Sequence, residues 1–165
     1  MNKQELGISR RIMDLERVHM RRAGIKSLIY KRLTEGEPCS ECRDIETNQV
    51  LNPQCDTCFN TGFKQGYDKP VEIYLENITA KNEQVVAKNT GEGEDDKIQY
   101  VFRHVSDPEI HQHDLIVCVH ENTRYVVEKS EKFNFKGEVP LVSHITVSLL
   151  QGDHVLYNIG LDHLV

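Results

Sequence analysis

Four of the five cysteines fall within one short stretch, residues 38–63, PCSECRDIETNQVLNPQCDTCFNTGF. They form two Cys-x-x-Cys pairs, Cys39/Cys42 and Cys55/Cys58, with twelve residues between them. A Cys-x-x-Cys turn aims two sulfurs at one point, and two such turns complete the tetrahedral shell of a zinc ion, with Zn–S near ~2.3 Å. The spacer is slightly shorter than the ~15–20 residues of common zinc ribbons. It suits a compact knuckle or a short hairpin, and Pro53, Gly62 and Gly66 supply turn chemistry around it. A redox dithiol would instead favour a single Cys-x-x-Cys opening a helix after a strand, a pattern this chain lacks. The expected cofactor is therefore Zn2+ on Cys39, Cys42, Cys55 and Cys58. Four thiolates leave no open position for water, so such a site is structural, and its coordination can fold a segment that has no apolar core of its own.

The rest of the chain is long enough not to need staples. Its 165 residues amount to about one domain with a small appendage. Hydrophobic residues make up 38 % and Trp is absent, so the expected core is thin and the polar surface large, which suits a subunit of an assembly. The N-terminal MNKQELGISRRIMDLE lacks the apolar run of an export peptide. No stretch approaches the ~20 apolar residues of a membrane helix, so no membrane contact is expected. Synthesis in a reducing cytoplasm keeps thiols free, which favours metal over disulfides. Cys118 lies inside an apolar strand and reads as a core thiol.

The net charge of −6 hides a division. Residues 1–33 carry nine Lys or Arg against three acids, so the remainder is strongly acidic. A basic arm on an acidic body either touches phosphate or docks on an acidic neighbour. Arg10, Arg11, Arg17, Arg21 and Arg22 are the candidates for either contact.

Residues 8–33 read as helix: Ile8, Ile12 and Leu15 keep a 3–4 spacing, and Ile25, Leu28, Ile29 and Leu33 resume it after Gly24. From Pro70 the period changes to two. Val71/Ile73/Leu75, Ile98/Tyr100/Phe102, Ile145/Val147/Leu149 and Val155/Tyr157/Ile159 read as strands. The polar tract 81–97 between the first two reads as a long exposed loop. Residues 114–129 give the clearest β-hairpin, with a turn at Glu121–Thr123, Leu115, Val117 and Val119 on one face and Ile116 and Cys118 on the other. The expected fold class is mainly β with an N-terminal helix: a small antiparallel β-barrel or sandwich plus a four-cysteine zinc knuckle. The expected units are a basic helical arm at 1–35, a zinc-binding module at 36–69 and a β-domain at 70–165. His111 and His113 read as a solvated loop. No phosphate loop, His-x-x-x-His pair or nucleophile elbow is present, so no enzyme is expected.

The order of these parts resembles a known class. The segment CDTCFNTGFKQGYDKPV is similar to the Cys-x-x-Cys-x-x-Thr-Gly-Phe…Gly-Tyr…Pro-Val segment of neck and head–tail connector proteins of tailed bacteriophages. The run DPEIHQHDLIVCVHENTRYVVEKSE resembles the core of their small head-closure, or stopper, proteins; the matching residues are Asp114, Leu115, Ile116, Tyr125 and Val127. The resemblance covers about residues 20–160 and implies a structural virion protein of the neck. It implies a homo-oligomeric ring, a hexamer by resemblance, that joins or closes the portal channel, with portal, adaptor and tail-terminator proteins as partners and packaged DNA within reach. Most head-closure proteins lack a four-cysteine clasp, and a baseplate or tail-completion position is the alternative within the same machinery.

Two further readings stand beside it. A zinc-ribbon nucleic-acid-binding protein would combine the clasp with the basic helix, although Glu41, Asp44, Glu46 and Asp56 make the clasp itself acidic. A peptide-binding zinc module like that of J-domain co-chaperones would use CDTCFNTGF as a repeat, but Asn60 replaces its first glycine and only two Cys-x-x-Cys motifs are present.

Overall fold

The computed structural model describes residues 3–44, 46–47, 49–78, 85–87, 97–135 and 139–160. One helix, α1 (Lys3–Ala23), precedes seven strands: β1 (Ile25–Tyr30), β2 (Val71–Asn77), β3 (Val85–Ala87), β4 (Lys97–Val105), β5 (Leu115–Cys118), β6 (Thr123–Phe135) and β7 (Val139–Leu149). A short 3-10 helix, Val155–Asn158, follows. The strands pair antiparallel in the order β2-β1-β5-β6-β7-β4-β3. A further pairing, Glu76 with Arg103 and Asn77 with Phe102, brings β2 against β4 and closes a six-stranded barrel. Closure removes most of the edges that an open sheet would expose.

Alternation of side chains gives this barrel two apolar faces. Its interior holds Ile29, Ile73, Leu75, Phe102, Ile116, Cys118, Tyr125, Val127, Ile145 and Val147, all buried. Tyr125 sits edge-on between Phe102 at 5.5 Å and Tyr100 at 5.7 Å, a favourable aromatic geometry. The outward side chains of β1 and β5 are apolar as well: Leu28, Tyr30, Leu115 and Val117 form a second core with Leu156 of the 3-10 helix. The β5–β6 hairpin thus has the two faces its alternation requires, and Cys118 is a core thiol within 3.5 Å of Ser27 Oγ.

The first helix is shorter than its pattern implies. It stops at Ala23, and residues 25–30 form β1 instead of continuing to Leu33. Gly24 explains the break: its N–H still bonds Met20 O at 2.8 Å, and a Cβ there would lie 2.6 Å from that oxygen and 3.1 Å from Leu75 O. Only glycine lets the helix end directly against β2. The buried side of α1 runs through Ser9, Met13, Glu16 and Met20, not through Ile8 and Leu15, which are exposed. Met20, 2 % exposed, is the apolar anchor of that stripe, and Glu16 beside it meets Arg103 at 2.7 Å, while Arg17 meets Asp107 at 2.9 Å at the surface. Val155, Tyr157 and Ile159 form no last strand. Their segment is the 3-10 helix, capped by His154 and held by the buried Arg124, whose guanidinium donates to the carbonyls of Leu156 and Ile159 and lies 4.9 Å from the Tyr157 ring centre. In the tract 81–97, Val85–Ala87 pair with Lys97–Gln99 as β3; the remainder lies outside the described residues.

β6 is much longer than β5, with thirteen residues against four. Beyond Val127 it has no β5 partner and continues along β7, which stays paired with β4 as far as Val142–Val105; only the pairs Asn134–Pro140 and Phe135–Val139 extend past the three-stranded part.

Asp114 ties the start of β5 to the end of β1. Its carboxylate, 2 % exposed, accepts from Arg32 N at 3.0 Å, His111 N at 2.8 Å and the Lys31 ammonium. Removing the carboxylate strands two backbone donors and a partly buried ammonium. Asp114→Ala should therefore cost about 3 kcal/mol, read as a lower urea midpoint at unchanged m-value.

Candidate metal centre

The cysteine segment leaves β1 at Lys31 and returns to β2 at Pro70 with three isolated β-bridges as its framework: Arg32–Tyr67, Pro38–Phe63 and Arg43–Val50. The last of these makes the twelve-residue spacer a small hairpin. Its turn is held by Asp44, which accepts from Glu46 N at 2.9 Å and Thr47 Oγ1 at 2.9 Å, as Asp does in tight turns. Each Cys-x-x-Cys turn is closed from its first cysteine: Arg43 N donates to Cys39 O at 3.1 Å, and Phe59 N to Cys55 O at 2.8 Å. After the second pair the chain is wound tightly enough to place Phe59 (φ 51°) and Asn60 (φ 64°) in the left-handed region. Such backbone is costly for a phenylalanine and persists only where its surroundings impose it.

This scaffold brings the four sulfurs together. Cys39, Cys42, Cys55 and Cys58 are buried and unlinked, and their Sγ atoms lie within 4.8 Å of one another. Cys42 and Cys58 approach to 3.0 Å, Cys39 and Cys55 to 3.8 Å, and only Val50 packs against them as an apolar neighbour among the described residues. The group can hold a metal ion, and a set of four thiols suits a tetrahedral ion of soft or borderline character. Among the described residues, no other group of His, Cys, Asp or Glu is arranged to do so. His111 pairs instead with Glu109 at 3.2 Å, and His113 sits in a left-handed turn.

The electrostatics are uneven. Burial pushes Cys42 well above the ordinary thiol range, and hydrogen bonds to the other three thiols push the same way. Burial also raises Cys58. Burial opposes ionisation of Cys55 too, but there N–H groups of Cys58 and Thr57 and the neighbouring thiols prevail and bring it down to about 7. One sulfur is thus ready as a thiolate near neutral pH, stabilised by backbone dipoles.

The module is docked, not dangling. Phe59 and Tyr67 pack on the outer core of the barrel. Arg32 Nη2 donates to Asn60 O at 3.0 Å, Asn158 Nδ2 donates to Asp56 at 2.7 Å, and Leu33 N and Asp68 N bond Gly66 O and Lys31 O. Arg32, Asn60, Asp56 and Asn158 carry no motif that sequence alone would single out. Of the arginines singled out on α1, Arg17 is engaged by Asp107 and Asp14, while Arg10, Arg11, Arg21 and Arg22 are exposed. They form two pairs, Arg10/Arg21 and Arg11/Arg22, each about 16 Å apart along the helix, rather than one patch.

No protein-family model matches the chain, and a search of curated proteins finds no match.

Two outcomes follow from the geometry. Ligation requires thiolates, so loading a divalent ion at pH 7 should release about two to four protons per ion, Cys42 and Cys58 among their sources. Affinity should fall as pH drops through the Cys55 value of about 7 toward 5, because protons compete for the same sulfurs. A pH-indicator dye in weak buffer reads the release. Gly66 (φ 69°) has room for no side chain, since a Cβ would lie 2.4 Å from Cys58 O, whereas Gly152 faces open space. Gly66→Ala should cost about 2 kcal/mol and speed metal loss to a chelator, and Gly152→Ala should do neither.

Proposed function

We propose that this protein is a structural subunit of the neck of a tailed bacteriophage, assembling as a ring that joins or closes the portal channel, with Zn2+ in the cysteine clasp. The observation that carries the reading is a clasp that is both closed and docked. All four sulfurs point at one another, so an ion bound there keeps no position for a substrate, and the lump it shapes is fastened to the wall of a closed barrel. A rigid protrusion on a small barrel is what a connector subunit needs to grip its neighbours. The Thr61–Gly62–Phe63…Gly66–Tyr67…Pro70–Val71 run gains physical sense in this frame. Thr61 Oγ1 bonds Cys58 O at 2.7 Å, Gly66 and Gly62 adopt left-handed backbone, and Tyr67 packs on the outer core. The all-sulfur set suits zinc, and iron on the same four thiolates is the alternative that metal analysis separates from it.

The test has two arms. Protein purified under reducing conditions should contain one zinc per chain, and Co2+ substitution should give the absorption of a tetrahedral thiolate site. Iron in place of zinc, or no stoichiometric metal, would overturn the zinc assignment. Added to a portal complex, the full chain should form a ring visible by electron microscopy. A monomer that ignores portal and tail components would sink the neck reading. Exposed Arg10, Arg11, Arg21 and Arg22 favour the zinc-bearing nucleic-acid binder as second reading. It predicts DNA affinity that falls steeply with salt, and its absence near physiological salt counts against it. Within the chain, Cys39→Ser or chelation should abolish amide-exchange protection across residues 36–68 and loosen Phe59 and Tyr67 from the outer core, while the interior strands stay protected.

A further inference from the structure

One face of α1 has no partner among the described residues. Ile8, Arg11, Leu15, Val18 and Arg22 follow one another at three- and four-residue steps and are all exposed, Leu15 to 71 %. They lie nearly opposite the buried stripe of Ser9, Met13, Glu16 and Met20. The result is an apolar seam with arginines along it, on a helix that carries six basic residues against three acids.

The clasp presents the complement. Its hairpin exposes Leu51 to 69 %, next to Cys42 through the bond from Leu51 N to Cys42 O. Glu41 precedes Cys42, and Glu46 stands in the turn that the Arg43–Val50 bridge closes; both are exposed. Residues 36–69 hold six acids against three basic residues. An apolar knob with an acidic rim therefore stands on the same chain as an apolar stripe with a basic rim.

Within one molecule the two surfaces do not cover each other, since Leu15 and Leu51 are both exposed. α1 enters β1 at Ile25 and the clasp leaves it after Tyr30, at the other end of a six-residue strand about 20 Å long. Resting on the assembly reading above, we infer that α1 of one copy receives the clasp of the next. Leu51 would sit on the Ile8–Leu15–Val18 seam, with Glu41 and Glu46 facing Arg11 and Arg22. Different patches on the two sides make this contact heterologous, and a heterologous contact that closes generates a ring. The metal then acts at a distance from any active chemistry: by shaping the knob, it makes each copy competent to hold its neighbour.

The experiment uses full-length, metal-loaded protein in sedimentation velocity at about 50 mM and about 500 mM salt, which separates screened from unscreened charge pairing. Wild type should assemble, more tightly at low salt. Leu15→Asp and Leu51→Asp should each weaken assembly at least about tenfold, as loss of an interface centre does. Both side chains are exposed in the single chain, so melting temperature and metal content should not change. Mixing the two variants is decisive. Each keeps one sound surface, so together they should form a dimer of one copy of each and nothing larger. A mixture that stays monomeric, or variants that assemble as well as wild type, overturns this interface while leaving a ring built on other surfaces intact. A wild-type protein that remains monomeric at every concentration, even with portal components, overturns both this inference and the neck reading. Arg11→Glu with Arg22→Glu should dissociate the assembly; if it abolishes DNA binding and spares assembly, the seam serves nucleic acid and the inference is lost.

Discussion

Four sulfurs converge on one point without a hydrophobic core to bring them there, and the shape of the segment between β1 and β2 depends on that fact. Among the described residues, only Val50 lies against the cluster as an apolar neighbour. Beyond Phe59 and Tyr67 on the outer core, the cysteine segment buries few apolar side chains among the described residues to offset its conformational entropy, which for any ordered residue is on the order of 1–2 kcal/mol. Coordination is the term that can replace that burial. The tight winding at Phe59 and Asn60 and the buried glycines fit the same picture: local backbone strain is tolerated where a stronger constraint holds the chain.

The barrel supplies the fixed platform. Its strands bury side chains on both faces, and this double duty lets a six-residue strand such as β1 hold an interior core through Ile29 and an exterior one through Leu28 and Tyr30. The exterior core is shared by three separate pieces of chain: the strands, the clasp and the C-terminal 3-10 helix. Arg124 is the polar member of that junction. A guanidinium this deeply placed is tolerable because two carbonyls and the Tyr157 ring receive it. Burial lowers its affinity for a proton, but an arginine remains charged throughout the physiological range.

What could be read from the sequence was what is local. The four-cysteine group was legible because its ligands lie within twenty residues and each pair is a single turn. The β5–β6 hairpin was legible because alternation and turn chemistry agree there. Residues 25–33 misled for a physical reason: Ile25, Leu28, Ile29 and Leu33 fit a helical period, and a strand buried on both faces leaves no alternation to contradict it. Ile8 and Leu15 misled because periodicity identifies an apolar stripe without saying what covers it. On this helix a different stripe, Ser9, Met13, Glu16 and Met20, is turned inward, with Glu16 paired to Arg103. Val155, Tyr157 and Ile159 alternate, yet the carbonyls of Leu156 and Ile159 are taken by Arg124 instead of by a neighbouring strand. The fastenings of clasp to barrel, Arg32–Asn60 and Asp56–Asn158, join residues with no shared motif and were beyond reach.

The length of β6 beyond its last β5 partner has a consequence for behaviour in concentrated solution. On the side that β5 leaves at Leu115, β6 offers amide and carbonyl groups that no neighbouring strand among the described residues takes up, the kind of margin on which foreign chains stack. Lys129, Glu131 and Lys132 punctuate that margin, with Lys129 and Glu131 neutralising each other at 2.5 Å and Lys132 turned to Glu109. A stray strand laying itself there would have to strip water from this row of ions. This stretch of β6 can therefore remain an uncovered margin of the barrel sheet without becoming a seed for fibrous aggregation.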